Sequence, residues 1–587
     1  MRTSWTLTLV VLLASTVLRT PLQAQTLYPI DRATILAGAK FDFKVEFPGV
    51  VLQTAVKVTV NGVDHAAALG RPATFIEKEE GMEASALLLR DVVLDQPGTY
   101  TVVATDGKNS AQVTWEVYRT GAIRQAKNVI LFIGDGMSVA HRTAARILSK
   151  GIMEGKYHGT LAMDAMPHMA LLGTSGVDSV ITDSANSAHA YTTGHKSSSG
   201  ALGVYADRTK NSLDDPKVET LTSLVQRKHK MAVGVVTDAE VEDATPASMV
   251  AHTRRRDDKA EITGMFFDSG VDVLLGGGSA YFLPQATPGS KRKDELDYIT
   301  KFKQAGYPLV IKAGELQAVA DDPQTTRLLG LFHTGNMDGV LDRKFLKKGT
   351  VDKFPDQPDL VEMTAAALKI LSRHDNGFLL MVEAGLIDKY SHPLDWERAV
   401  MDTIMLDQAV ALAKDFAAKN PSTLVLVTAD HSHGLSIVGT VDDTIPAEQM
   451  RDKVGVYEKA GYPNYKDTDG DGYPDTLNVS KRLAIFFSNF PDYYETFRVK
   501  ADGPFTPAVQ QDKIYVANEK YKDIPGAMLR TGVLPRTAST GVHTGEDVIL
   551  TAMGPGAEQV AGFMDNTELF RVIANALALG DGKLAQQ

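Results

Sequence analysis

The sequence predicts an α/β protein: a central, largely parallel sheet flanked by helices, preceded by a small β-sandwich domain. Two textures along the chain carry that prediction. Up to about residue 119 the apolar positions form short alternating runs broken by turn residues. From Asn128 onward they form continuous runs broken by helical stretches. Alternation marks strands with one buried face, whereas a run apolar throughout marks a strand covered on both sides by helices. A third texture, at about 440–540, is rich in Tyr, Pro, Asp and Lys and weakly periodic, and reads as an insertion.

Residues 1–24 read as an export signal. Arg2 supplies a positive start, Leu7 to Leu18 an apolar stretch, and Leu22-Gln23-Ala24 a cleavage site with Leu in place of the usual small residue. The stretch is short for a membrane span, and no later segment offers an integral membrane segment. The expected location is the periplasm or the extracellular space. The chain has no cysteine, which excludes disulfides, thiol catalysis, cysteine-ligated zinc and a lipidated cysteine.

In 26–119 the runs are Phe41 to Phe47, Ala55 to Val60, Ala84 to Leu89, Tyr100 to Ala104 and Ala111 to Val117. Asn61-Gly62, Pro97-Gly98 and Asp106-Gly107 turn the chain between them. Leu94 to Tyr100 resembles the corner before a late strand of an immunoglobulin-like domain, with Tyr100 as corner tyrosine. No catalytic cluster occurs here, so the sandwich reads as a packing or spacing module, with carbohydrate or surface binding as the alternative.

Residues 120–587 form the core domain. Its apolar runs are Val129 to Ile133, Ala232 to Val236, Val271 to Leu275, Phe378 to Val382 and Thr423 to Val427. Its helices are expected at Met137 to Lys150, Val218 to His229, Leu360 to Arg373, Trp396 to Ala418 and Thr567 to Leu579. The 587 residues and 44% hydrophobic content support a large core, and the net charge of −11 argues against a nucleic-acid binder. In parallel sheets chemistry gathers beyond the carboxyl ends of strands. Asp135 follows the first run, between glycines that permit a tight turn. Glu383, Asp388 and His392 follow the fourth run, and Asp388 and His392 share a helix face at i and i+4. Asp430, His431 and His433 follow the fifth. Ser184, behind Asp183, sits at a helix start, where free N–H groups favour an anion. Asp243-Ala244-Thr245-Pro246 places proline at a first helical position with Thr245 as its cap.

Together these segments resemble the alkaline phosphatase family. The motifs are Gly134-Asp135-Gly136-Met137, Thr182-Asp183-Ser184-Ala185, Asp243-Ala244-Thr245-Pro246-Ala247, Val382-Glu383-Ala384-Gly385 with Ile387-Asp388-Lys389, Thr428-Ala429-Asp430-His431-Ser432-His433, and His543-Thr544-Gly545, in family order. The resemblance implies hydrolysis of small phosphomonoesters through a phosphoserine at Ser184, with two Zn2+ and one Mg2+ per chain. It assigns Asp388, His392 and His543 to one zinc, and Asp430, His431 and Asp135 to the other. Asp135 also reaches the magnesium, with Thr245 and Glu383. Asp243 acts on magnesium-bound water, and His433 lies behind the zinc ligands. A phosphate-gripping arginine falls at Arg256, within the run Arg254-Arg255-Arg256. Lys389 with Asp243 resembles bacterial members, and Lys389 would touch the substrate phosphate through water. A homodimer is common in the family; no interface is legible in the sequence.

Asp467, Asp469, Asp471, Tyr473 and Asp475, with Gly472 at position 6, outline a loop resembling short Asp-rich Ca2+ repeats; Asn478 stands where a full EF-hand has Glu. Three rival readings exist. Gly134 to Val139 lacks the third glycine of a dinucleotide fingerprint. A phosphodiesterase on the same metal core would lack the third free phosphate oxygen that Arg256 and the metals together require. A non-enzymatic calcium-binding surface protein leaves the metal set unexplained.

Overall fold

In a computed structural model of the chain, residues 24–452 and 454–580 are described, so the export signal lies outside them except for Ala24. A ten-stranded sheet organises the core. From one edge it runs Leu309–Val310, Leu328–Leu331, Val273–Gly277, Ala232–Glu240, Phe378–Ala384, Asn128–Gly134, Thr423–Thr428, Val548–Met553, His168–Gly173 and Ala561–Asp565. Every strand runs the same way except Val548–Met553, which is antiparallel to both neighbours. All five apolar runs read from the sequence are strands of this sheet. The other five were not anticipated. Leu309–Val310 has only two residues, and His168–Gly173 carries the short apolar run Met169 to Leu172 while alternating buried and exposed positions.

The helices over 360–371 and 396–419 lie where the periodicity places them. The helix expected from Val218 begins at Leu221, capped by Thr220. Residues 217–219 stay extended because they pair with the sandwich: Phe41 and Val218 form an antiparallel bridge, and Asp42 N–H donates to Lys217 O at 2.8 Å. The expected cap at Thr245 is also corrected. The short helix is Ala244–Ala247 and its N-cap is Asp243, whose carboxylate accepts from Ala244 N–H. An ionised carboxylate two residues earlier is the stronger acceptor, and this leaves the Thr245 hydroxyl without a hydrogen bond.

The N-terminal strands form a four-stranded and a five-stranded sheet around their own apolar core, which includes the fully buried Trp115. Tyr100 Oη donates to Gln96 O at 2.9 Å, the bond expected of a corner tyrosine. The stretch read as an insertion opens with a hairpin of Leu435–Asp442 and Lys481–Phe487, so it begins slightly earlier than its composition shows.

Candidate active site

Parallel strands deliver their carboxyl ends to one edge of the sheet, and the site is built there. Ile133 pairs with Glu383 and with Thr428, which sets Asp135, Glu383 and Asp430 side by side. His543 arrives differently. It precedes Val548–Met553, and because that strand runs antiparallel its start lies at the edge where the others end.

Ser184 is the first residue of the helix Ser184–Thr193. Asp183 caps it: Asp183 Oδ1 accepts from Asn186 N–H, and Asn186 Oδ1 accepts from Asp183 N–H, both at 3.0 Å. The capping role that a serine usually takes thus belongs to Asp183, and Ser184 is spared. Its side chain is buried, 1% exposed, with Oγ 3.4 Å from His431 Nε2.

Around Asp388 Oδ1 lie the Nε2 atoms of His433 at 2.5 Å, His392 at 3.3 Å and His543 at 3.4 Å. His392 Nδ1 is 2.8 Å from Gly541 O, and His543 Nδ1 is 2.9 Å from Thr182 O. A carbonyl can only accept, so each Nδ1 carries the proton and each Nε2 presents a lone pair. Those two Nε2 atoms face each other at 3.3 Å. Two lone pairs and a carboxylate converging on one point fit a cation. A second group joins His431 Nε2 to Asp135 Oδ1 at 3.2 Å and Asp430 Oδ2 at 3.4 Å. Asp135 Oδ1, Asp430 Oδ2 and Thr245 Oγ1 are buried and make no hydrogen bond, the state expected of metal-ligand atoms. Burial, then the charge of Asp135, pushes the carboxyls of Asp430 and Glu383 well above the usual range. Glu383 Oε2 accepts from Thr237 Oγ1 at 2.5 Å. Imidazole with carboxylate suits zinc, and oxygen alone suits magnesium. His433 Nε2 is spent on Asp388, which suits an orienting role.

The positive wall centres on Asp243. Lys389 Nζ lies 3.0 Å and Arg256 Nη2 2.9 Å from its carboxylate. Burial would raise this carboxyl, but Lys389, Arg256 and Lys259 together hold it well below the usual range. Arg256 also reaches Asp183 Oδ2 at 3.5 Å. The geometry thus selects among the three arginines: Arg254 turns to Asp207 and Asp215, and Arg255 to Asp258. Sequence reasoning missed Lys259, whose cation stands 3.8 Å from Asp243. It also missed the carbonyls of Thr182 and Gly541; a backbone acceptor carries no residue signature.

The Asp-rich loop lies apart, in the insertion. Asp467, Asp469 and Asp475 bring carboxylate oxygens together. Asp471 instead pairs with Lys344, and Tyr473 buries its ring against Phe345.

The alkaline phosphatase family model matches residues 126–579, leaving out the sandwich. Alkaline phosphatase of Escherichia coli K12 is 31% identical over 493 residues, covering 78% of this chain and 87% of that protein. Alkaline phosphatase H of Pseudomonas aeruginosa is 30% identical, covering 78% and 86%. The structure of Thermus thermophilus alkaline phosphatase aligns with a TM-score of 0.55 at 25% identity, covering 78% of this chain and 93% of that one. On the matched span, the identities and the shared fold, the chain belongs to the alkaline phosphatase family.

Proposed function

We propose that this phosphoric monoester hydrolase works through a covalent phosphoserine at Ser184. The observation that supports the proposal is a buried hydroxyl, not spent as a helix cap, 3.4 Å from His431 Nε2 and next in sequence to Asp183, which faces the Arg256 guanidinium. Two zinc ions, at Asp388/His392/His543 and at Asp135/Asp430/His431, and a magnesium ion at Asp135/Thr245/Glu383 would supply, when bound, the positive charge that makes hydroxyl and water nucleophilic near neutral pH. Ser184 Oγ attacks phosphorus in line, losing its proton as the bond forms. The bond from phosphorus to the ester oxygen breaks, and that oxygen leaves as an alcohol after gaining a proton. Water then attacks the phosphoserine, the Oγ–phosphorus bond breaks, and inorganic phosphate leaves with the serine hydroxyl restored.

Arg256 serves this sequence with a planar fork whose geometry matches two phosphate oxygens. Asp183 and Asp243 hold the fork in place before substrate arrives, which lowers the entropy lost on binding. The helix N-terminus beneath Ser184 adds N–H groups that favour the phosphate it would carry. Lys389, held by Asp243 and Asp388, keeps positive charge near the phosphate. Brief incubation with a phosphate donor, acid quenching and peptide mapping tests the reading. Phosphate on the Ser184 peptide is expected; its absence, with activity persisting in Ser184→Ala, would sink it.

The leader supports an exported enzyme, and the gathering of Asp467, Asp469 and Asp475 supports calcium binding in the insertion. Cell fractionation of a strain expressing the full chain tests the first, with activity expected outside the cytoplasm.

A further inference from the structure

The sandwich meets the core at several places, among them Gly38 with Arg227, Lys40 with Glu219 and Glu116 with Arg571, and one of its contacts is a loop that also touches the phosphate-binding arginine run. We infer that Arg254, through this loop, is a positioning residue for Arg256, and that the N-terminal sandwich thereby sets the enzyme's affinity for phosphate. The inference rests on the reading of Arg256 given above and adds a control to it.

The connection can be followed bond by bond. Residues 205–217 leave the core and return, closed by the pairing of Val204 with Lys217 and by Tyr205 N–H donating to Pro216 O at 2.9 Å. The sandwich grips this loop from outside. Arg208 Nη2 donates to Ser85 O at 2.7 Å, and Arg90 Nη2 donates to Asp214 O at 2.6 Å. Tyr205 and Val218 are buried in the apolar core of the sandwich itself. From inside, Arg254 Nη1 donates to Asp207 O at 3.0 Å and lies 3.3 Å from Asp215 Oδ1, while Arg254 N–H donates to Ser212 O at 3.2 Å. The run continues without slack. Thr253 and Leu202 exchange backbone hydrogen bonds at 2.9 and 2.7 Å, and Arg256 N–H donates to Gly200 O at 2.9 Å. Gly200 N–H in turn donates to Asp183 Oδ2, the carboxylate that also faces Arg256.

An arginine that bonds only within its own domain would be a local brace. Arg254 instead bonds to a loop whose other face is held by a second domain, two residues before the guanidinium that meets substrate. A shift of the sandwich is therefore transmitted to the backbone that carries Arg256, and small misplacements of a phosphate-binding group are costly.

Steady-state kinetics on the metal-loaded, full-length enzyme test the inference, with p-nitrophenyl phosphate as substrate and inorganic phosphate as inhibitor. Arg254→Ala is expected to raise KM and the inhibition constant of phosphate together by about tenfold, with a smaller change in kcat. Arg254→Lys should recover part of the loss, because Lys restores a single donor to Asp207 and Asp215. Arg90→Ala, half-exposed and removed from the core, should move both constants the same way by about twofold to threefold. In an Arg256→Ala background, Arg254→Ala should add almost nothing, since a positioning residue has nothing left to position. Effects that multiply in full, or constants unchanged in Arg254→Ala, would overturn the inference. If Arg256→Ala alone left both constants unchanged, the reading of Arg256 would have failed and not the link to it.

Discussion

Two buried carboxylate clusters in this molecule look alike by composition and differ in what fills them. At the sheet edge, Asp135, Asp388 and His431 bring ligand atoms together; at the seam with the sandwich, Glu46, Glu79 and Asp207 do the same. At the seam the chain supplies its own cation. Lys44 Nζ stands 2.5 Å from Asp207, 2.6 Å from Glu79 and 3.4 Å from Glu46, and Arg208 Nε donates to Glu79 at 2.9 Å. At the sheet edge Asp135 Oδ1 and Asp430 Oδ2 are left without hydrogen bonds, and the nearest side-chain nitrogen is His431 Nε2, at 3.2 and 3.4 Å. At the seam each carboxylate meets an ammonium or guanidinium, whereas in the edge cluster Lys389 meets only Asp388 Oδ2, and Asp135 Oδ1 and Asp430 Oδ2 stay open to an ion. The cost of burying unpaired charge is what an arriving ion offsets.

The largest effect should separate the two clusters directly. Dialysis against a chelator is expected to lower phosphatase activity by roughly a thousandfold or more, because both nucleophile activation and charge neutralisation depend on the ions. The circular dichroism of the sandwich and its protection from protease should stay as they were, since Lys44 is not removable. Added zinc and magnesium should restore activity. Activity that survives exhaustive chelation would break the comparison at its first term.

A second experiment turns the seam into the other kind of site. Lys44→Met leaves three buried carboxylates without their ammonium and should cost about 3 kcal/mol of stability by urea unfolding, since removing one partner of a buried pair strands the other. Adding Asp207→Asn should recover part of that loss. If the distinction is one of cation supply, calcium should now raise the unfolding midpoint of Lys44→Met more than that of the parent. Equal responses would show that the seam lacks ligand geometry and not merely a vacancy for charge.

How far the sequence carried the interpretation also differs between the clusters. The edge was legible because strand ends are legible: continuous apolar runs end at Gly134, Ala384 and Thr428, and chemistry-bearing residues follow at once. His543 was legible only through its motif, because its place depends on an antiparallel strand that no periodicity announced. The choice of Arg256 over its neighbours needed geometry, since three adjacent arginines have identical chemistry and differ only in which carboxylate each meets. The seam was invisible. Lys44 and Glu46 alternate with apolar residues in one strand, as in any half-buried strand, and Glu79 and Asp207 lie far from them in a turn and a loop. The reading of the sandwich as a mere spacer followed from that silence.

The seam should also show a pH dependence of its own. His195 is buried and His252 half-buried beside Tyr205 and Val218, with His195 Nδ1 2.6 Å from Tyr205 Oη and His252 Nε2 3.1 Å from Val218 O. Burial holds both imidazoles down to about 4. An unfolded histidine takes up its proton from about pH 6.5 downward, whereas these take theirs only near 4. Their contribution to stability is therefore present above pH 6.5 and lost as pH falls toward 4. Asp215, pushed up to about 7 by its burial, acts in the opposite sense over the same range, so the wild-type slope mixes the two. Comparison with His252→Gln removes that mixture. From pH 7 to pH 5 the parent should lose about 2 kcal/mol more than the variant in urea unfolding. Parallel curves would show that His252 is protonated in the folded protein and that the seam is not closed to protons.

The smallest effect is expected at the Asp-rich loop, which represents a third way of handling carboxylates. Here Lys344 meets Asp471, and the loop's own N–H groups meet much of the remaining charge. Asp467 accepts from Gly470 N–H at 2.7 Å and Gly472 N–H at 2.9 Å, and Asp475 accepts from Thr468 N–H at 3.0 Å and Thr468 Oγ1 at 2.8 Å. Asp469 has one such partner, Asp471 N–H at 3.2 Å, so it is the carboxylate with most capacity left for calcium. Asp469→Ala should therefore abolish the heat of calcium binding in calorimetry while changing stability without calcium by no more than about 0.5 kcal/mol, the range of an ordinary surface substitution. Phosphatase activity should be unaltered, because the loop is held to the core by Gln408 Nε2 donating to Asp471 O at 2.9 Å and not by Asp469. Absence of calcium binding in the parent protein would remove the site. A loss of several kcal/mol in calcium-free Asp469→Ala would instead show that this carboxylate is structural, and would place the loop with the seam and not with the sheet edge.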